Sequence, residues 1–114
     1  MPTDKGLMAG SAGMLLLKLL EEQDMYGYQM TETLRARSND VFALKAGTLY
    51  PLLHTLETKG FVRSYASMFD GRERRYYALT ERGKAHLGEK RAEWENFSSA
   101  VTNVLKGGAL CGAF

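Results

Sequence analysis

Residues 45–60, Lys-Ala-Gly-Thr-Leu-Tyr-Pro-Leu-Leu-His-Thr-Leu-Glu-Thr-Lys-Gly, decide how the rest of this chain is interpreted. Its apolar residues recur at helical spacing and predict an amphipathic helix: Leu49, Leu52, Leu53 and Leu56. Gly60 suits the left-handed residue just past a helix end, because it has no Cβ to clash. Leu56 and Phe61 then hold the positions whose apolar contact seals such a cap. Four residues lie off the apolar stripe, where a partner can meet them: Thr48, Tyr50, Thr55 and Lys59.

Two helices are predicted before this segment. The first covers about residues 7–22 and carries the leucine-rich run of the chain. The second opens at Tyr26-Gly27-Tyr28 and ends near Arg37, where Ser38-Asn39-Asp40 forms a turn cluster. The pattern therefore places the second helix, a turn and the helix within residues 45–60 directly in sequence.

Beyond Gly60 the period changes from helical to extended. Residues 61–65 and 75–79 are rich in aromatic side chains and predict two strands. Asp70-Gly71, inside the connection 67–74, is the hairpin turn signal. Positive charge exceeds negative charge around this turn because of three arginines: Arg72, Arg74 and Arg75.

Thr80 is a good N-cap for one last helix that runs to about Lys106. Its apolar residues are spaced three, four or seven apart, as in a helix–helix seam: Leu87, Trp94, Phe97, Val101 and Val104. A monomer of this length could not easily cover that surface, so we expect a two-fold homodimer. The predicted division is residues 1–79 for DNA binding, 80–106 for the dimerisation helix and 107–114 for a flexible tail.

Composition limits the class of protein. With 114 residues, 45% of them hydrophobic, the chain can form one globular domain. A net charge of +2 is too small to indicate nucleic acid without a favourable distribution. The single cysteine, Cys111, rules out an internal disulfide and fits a reducing compartment. The apolar run 14–20 contains Lys18 and is far shorter than the ~20 residues of a membrane span. We therefore expect a cytoplasmic protein with no membrane partner.

The order of elements predicts a mainly α fold with a small β-hairpin, namely a winged helix-turn-helix followed by a long dimerisation helix. In such a fold the third helix enters the DNA major groove, whose base edges present distinguishable donor and acceptor patterns. Arginines of the wing suit phosphates or a narrow minor groove. The candidate DNA-binding residues are Lys45, Thr48, Tyr50, Arg72, Arg74 and Arg75.

Three segments resemble one known family. Residues 47–57, Gly-Thr-Leu-Tyr-Pro-Leu-Leu-His-Thr-Leu-Glu, look like the hallmark of the PadR family of transcriptional regulators. Tyr26-Gly27-Tyr28 resembles the opening of its second helix, and residues 75–83 resemble its junction between the wing and the last helix. The resemblance covers about residues 15–97. The single C-terminal helix with Trp94 is similar to that of the short, LmrR-like subgroup.

This resemblance implies a regulator, typically a repressor, whose DNA affinity changes when a small planar or aromatic effector binds. It implies that Trp94 lines a flat cavity at the dimer interface, and Leu15 is a guess for the facing residue from the second subunit. The chain departs from the family in having Lys45-Ala46 where Ser-Pro is common. That change removes an N-cap and a first-turn proline from the third helix. Pro51, inside the family motif, removes one backbone N–H from the helix.

An enzyme is not expected, because the sequence has no nucleophile elbow, no phosphate-binding glycine loop and no metal-ligand pattern. His54 and His86 are isolated from each other and from Cys111, so no metal and no other cofactor is predicted. The competing hypothesis is a winged-helix module that dimerises or recruits another protein and barely touches DNA. Loss of the wing arginines separates the two hypotheses, since only a DNA-binding protein would lose affinity and salt dependence.

Overall fold

The computed structural model describes residues 5–107, with side chains from residue 10 onward. Its elements follow the chain in this order: α1 Lys5–Glu22, β1 Met25–Tyr26, α2 Gly27–Arg37, α3 Ala46–Thr58, β2 Val62–Phe69, β3 Arg72–Leu79 and α4 Glu81–Lys106. This mainly helical winged-helix arrangement confirms the predicted fold class. Cys111 and most of the predicted tail lie outside the described residues.

The wing belongs to a three-stranded antiparallel sheet with the order β1-β3-β2. The prediction of a two-stranded hairpin was therefore incomplete. Strand β1 has only two residues, too few for an alternating pattern to appear in the sequence, and it pairs Met25 with Tyr77. Strands β2 and β3 also run up to the turn, with Phe69 paired to Arg72, so they are longer than predicted.

The wing turn and the end of α3 have the predicted local conformations. Asp70 and Gly71 have φ values of 54° and 77°, as a two-residue type I′ turn requires. Gly60 has a φ of 82°. The Phe61 amide donates to the Leu56 carbonyl over 2.9 Å, and the Gly60 amide donates to the Glu57 carbonyl over 2.9 Å. These two bonds form a Schellman cap, whose apolar pair belongs to the core.

One core joins the helices to the inner face of the sheet. Leu16, Leu53 and Met30 have no exposed surface and come from three different helices. Burial of each such side chain contributes roughly 1.5–3 kcal/mol, so this contact holds the helix-turn-helix together. The other members of the core are Leu17, Leu19, Leu20, Met25, Leu34, Leu49, Leu56, Phe61, Val62, Tyr77 and Leu87.

The start of α4 is fixed against the end of α3. The Thr80 hydroxyl donates to the Gly60 carbonyl over 2.6 Å and accepts from the Gly83 amide over 2.9 Å. The Thr80 amide donates to the Phe61 carbonyl over 3.1 Å. Gly83 is buried against that same carbonyl, where a Cβ would collide with the backbone. The absence of a side chain at Gly83 is therefore what lets α4 approach β2.

The second half of α4 extends beyond the core. From Gly88 to Lys106 every residue except Ser98 is exposed. The radius of gyration is 17.1 Å, against about 13 Å for a compact domain of this length. Leu87 differs from the other residues predicted at the dimer interface, because it is 2% exposed and is buried in the chain's own core. The exposed residues of the predicted dimer interface therefore begin at Trp94, two helical turns after Leu87.

Among the helices that the structure describes, none has both the length and the apolar content that crossing a bilayer would require.

We expect Gly83→Ala to lower the free energy of unfolding by about 1–3 kcal/mol, because its Cβ must displace the Phe61 backbone or α4. Gly88→Ala is the matched control in the same helix, since a Cβ there would meet nothing within 4 Å. It should stabilise by roughly 0.5–1 kcal/mol through helix propensity. Urea denaturation followed by circular dichroism, at one protein concentration, measures both. Equal effects of the two alanines would contradict this account of the contact between Gly83 and the Phe61 carbonyl.

Candidate nucleic-acid interface

Helix α3 presents one polar face to the outside. Its buried residues are Leu49, Leu53 and Leu56, which lie on one side of the helix. The exposed residues of α3 and its C-cap residue form what we call the recognition face: Ala46, Gly47, Thr48, Tyr50, Pro51, His54, Thr55, Thr58 and Lys59. Thr48 and Tyr50, both predicted as contacts, lie on this face but at its two edges, because they are about 160° apart around the helix.

Lys45 is the N-cap residue of α3, and its side chain makes no capping hydrogen bond. Its carbonyl accepts from the amides of Thr48 and Leu49 over 2.9 and 2.8 Å. The exposed ammonium group therefore remains available at the start of the recognition face. The helix thus begins without the side-chain cap that a serine at position 45 could provide.

Pro51 lies inside α3, and the helix continues through it. The carbonyl four residues earlier belongs to Gly47 and loses its usual intrahelical donor. Gly47 and Pro51 are both exposed, so solvent can reach this carbonyl. The missing bond therefore lies on the recognition face and leaves the core intact.

Tyr50 is held by the start of α2. A Cβ on Gly27 would collide with the Tyr50 ring and hydroxyl, so the ring lies directly over this glycine. Half of Tyr50 is nevertheless exposed, at 49%. Tyr50 thus connects the two helices and also presents its ring at the edge of the recognition face.

Sequence reasoning missed His54 on the recognition face. His54 is exposed between the edges that Thr48 and Tyr50 define, as is Thr55, which the sequence pattern places off the apolar stripe. A histidine can both donate and accept hydrogen bonds in its neutral form, which suits base edges. The Thr55 hydroxyl donates to the Pro51 carbonyl over 3.1 Å. A helical wheel centred opposite Leu49, Leu53 and Leu56 would have found His54 as well.

The three wing arginines do not share one environment. Arg72 is exposed next to the turn. Arg75 is also exposed, and its Nη1 donates to the Ser64 hydroxyl over 2.9 Å, on the sheet face that meets α3. Arg74 points to the opposite face, as strand alternation requires. The three arginines of this motif therefore lie in three different environments.

Arg74 packs against aromatic rings. Its Cζ lies 4.4 Å from the ring centroid of Tyr26 and 5.5 Å from that of Phe69. Its Nε is buried and has no hydrogen-bond partner among the described residues. The ring of Tyr76 contacts Tyr26 edge-on, at 5.5 Å between centroids. Arg74 thus stabilises the outer face of the sheet through cation–π contacts, and less of it is available to a phosphate than of Arg72 or Arg75.

Two tyrosines of the sheet have raised pKa values. The hydrogen bond from the Tyr65 hydroxyl to Asp24, 2.5 Å long, raises the pKa of Tyr65 and ties β2 to the loop before β1. Burial raises the pKa of Tyr77, an effect that the nearby Arg75 opposes. Both shifts favour the neutral phenol, which suits the hydrogen bond of Tyr65 and the packing of Tyr77.

A second surface feature is a groove of about 500 Å³ between α1, α3 and α4. Trp94 and Phe97 line it, with their ring centroids 6.3 Å apart, and they are 46% and 62% exposed. The groove is also lined by Gly10, Ser11, Gly13, Met14, Leu17, Leu52, Leu56, His86, Lys90 and Glu93. Leu15 does not line it within this chain, so its place opposite Trp94 of a second subunit stays a prediction.

The two histidines lie in different places. His54 is on the recognition face, whereas the His86 ring stacks on Phe61 with centroids 4.0 Å apart and lines the groove. Within residues 10–107, no three His, Cys, Asp or Glu side chains come together as metal ligands.

These features define a class of protein. An exposed helix-turn-helix face, an arginine-bearing wing beside it and a long following helix are the parts of a winged-helix DNA-binding protein. A family model described as the PadR-like family of transcriptional regulators matches residues 16–89. The chain belongs to that family of transcriptional regulators.

Individual relatives and one solved structure show how far the similarity extends along the chain. Transcriptional regulator Rv3488 of Mycobacterium tuberculosis is 36% identical over 80 residues, which are 70% of this chain and 72% of the relative. An uncharacterized protein of Lysinibacillus sphaericus is 32% identical over 102 residues, 89% and 94% of the two chains. The crystal structure of a PadR family transcription regulator from Clostridium difficile R20291 has a TM-score of 0.73 and 34% identity, covering 83% of this chain and 98% of that one.

Proposed function

We propose that this protein is a dimeric, DNA-binding transcriptional repressor that a small planar or aromatic effector releases from its operator. The recognition face on α3, beside a wing with two exposed arginines, is the observation that carries the proposal. The single long α4 further supports membership of the short subgroup of the family. In this proposal residues 1–79 contact DNA, residues 80–106 dimerise, and the protein works in the cytoplasm.

The proposed DNA contacts divide into base readout and phosphate binding. Lys45, Thr48 and Tyr50 line the start of α3, the part of a recognition helix that reaches base edges, and His54 extends this set. Arg72 and Arg75 bind phosphates from the wing. Arg74 contributes mainly by keeping the wing rigid, since its guanidinium packs against Tyr26 and Phe69.

The deciding experiment is fluorescence anisotropy with the DNA directly upstream of the protein's own gene, titrated at several salt concentrations beside a scrambled duplex. We expect tighter binding to the upstream duplex. Arg72→Ala should weaken binding to both duplexes and reduce the slope of log K against log salt by about 1, because one phosphate contact is lost. Lys90→Ala removes the same charge from the groove instead of the wing, and should leave the slope unchanged.

Other results of this titration point elsewhere. Weak, equal and strongly salt-dependent binding to both duplexes would indicate a basic surface without operator recognition. No binding to either duplex at low salt would favour the competing function, a winged-helix module for protein interaction. The exposed apolar stripe of α4 is the observation that keeps this second function open.

The proposed dimer uses the exposed half of α4. Trp94, Phe97, Val101 and Val104 recur at intervals of three and four residues, so they lie along one side of the helix. All four are exposed in the single chain. A second copy related by a two-fold axis would cover both stripes and set the spacing of two recognition helices.

Val101→Glu is expected to weaken dimerisation by on the order of 100-fold, because it places an unpaired carboxylate in the apolar contact. Ser99→Glu introduces the same charge on the opposite side of α4 and should leave the dimer intact. Sedimentation velocity at matched concentrations distinguishes the 12.7 kDa monomer from its dimer. If Val101→Glu sediments like the unchanged protein, the stripe is not the dimer contact.

The proposed effector site is the groove beside Trp94, the one tryptophan of the chain. A planar aromatic compound can stack on this indole, and Met14, Leu17 and Phe97 supply an apolar surround. Release from DNA requires the effector to bind more tightly to the free protein than to the DNA-bound one.

Titration calorimetry with a panel of planar aromatic compounds tests this site. Trp94→Ala should weaken binding by roughly 2- to 10-fold, whereas Trp94→Phe, which keeps an aromatic ring, should lose less. The compounds that bind should also raise the dissociation constant of the operator by their coupling factor, and operator DNA should weaken compound binding equally. Binding that is indifferent to Trp94 would remove the groove from the mechanism.

A further inference from the structure

A chain of three side chains joins the recognition helix to the wing. The Ser64 hydroxyl on β2 donates to Glu57 Oε2 over 2.7 Å, and Glu57 lies near the end of α3. The same hydroxyl accepts from Arg75 Nη1 over 2.9 Å, and Arg75 lies on β3. Three consecutive elements are therefore connected through one hydroxyl group.

The chemistry of these groups fixes the direction of both bonds. A guanidinium can only donate, and an ionised carboxylate can only accept. The residue between them must therefore do both, which a hydroxyl does and an alanine does not. Serine and threonine are the small side chains that satisfy this position.

The strand register explains how Arg75 reaches Ser64. Arg75 is paired directly with Ala66, and Ser64 lies two residues away on the same face of β2. The small Ala66 leaves room for the arginine to lean diagonally towards α3. At the other end, Glu57 follows Tyr50 by seven residues, which is two helical turns, so Glu57 lies on the same side of α3 as Tyr50.

Arg75 is exposed although it is held in this way. Its bond to Ser64 engages Nη1, one nitrogen of a group with five N–H donors. Arg72 lies next to the turn, where a long side chain loses more rotamer freedom when it binds. A guanidinium that is already oriented loses less entropy on meeting a phosphate.

We propose that Ser64 and Glu57 are positioning residues that orient Arg75, in the crease between α3 and the wing, for contact with a DNA phosphate. This inference rests on the proposed DNA-binding function. It adds a hydrogen-bonded chain to the core contacts that hold the wing against the recognition helix. Arg75 then binds the phosphate backbone in a fixed register relative to Tyr50.

A double-mutant cycle on Ser64 and Arg75 tests the proposal by anisotropy with both duplexes. Ser64→Ala should weaken binding roughly three- to tenfold, the range of one lost hydrogen bond. In an Arg75→Ala background the same substitution should change affinity less than about twofold, because nothing is left to orient. Ser64→Thr keeps the hydroxyl and should restore the affinity of the unchanged protein. Urea denaturation of each variant checks that it remains folded.

Each outcome bears on the proposal. Equal losses from Ser64→Ala with and without Arg75 would overturn it, as would no loss at all or a failure of threonine to rescue. Phosphate contact does not depend on base sequence, so the cycle is informative on the scrambled duplex even if operator preference is absent. Absence of binding to any duplex would overturn the proposed function together with this inference. Normal binding with no coupling would overturn this inference alone.

Discussion

The contact between the end of α3 and the start of α4 determines how the functional surfaces are arranged. Gly60 and Phe61 end the recognition helix, and their carbonyls accept hydrogen bonds from Thr80, which begins the last helix. Gly83 lies so close to the Phe61 carbonyl that no side chain fits between them. The hydroxyl and the amide of Thr80 thus join the start of α4 to the residues that end α3.

This joint also lies between the two candidate binding surfaces. Phe61 packs in the core, and its ring stacks on His86, which lines the groove beside Trp94. An occupant of the groove would thus touch a residue that directly contacts the end of the recognition helix. Linkage between two sites requires an element whose position both sites influence. In the proposed mechanism, Phe61 and His86 would be the path from the groove to the end of α3.

The positions of the charged residues are more informative than the net charge of the chain. A net charge of +2 is compatible with most functions. Arg72 and Arg75, however, are exposed on the wing, and the recognition face on α3 carries no acidic residue. Glu57 is the acidic residue of α3, and its carboxylate accepts from Ser64 within the chain that holds Arg75. Arg74 shows the opposite case, since packing between rings takes its guanidinium away from that surface.

The sequence by itself determined the features that depend on a few neighbouring residues. These are the four helices, the cap at Gly60, the turn at Asp70-Gly71 and the N-cap at Thr80, because hydrogen bonds within a few residues of chain fix each of them. Only the tertiary structure decided features that bring distant residues together. Strand β1 exists because Tyr77 pairs with Met25, the groove needs three helices, and Arg74 and Arg75 differ because Tyr26 packs on one face of the sheet and Glu57 lies on the other. Local sequence does not record which distant side chain will occupy a given face, since that depends on how the core packs.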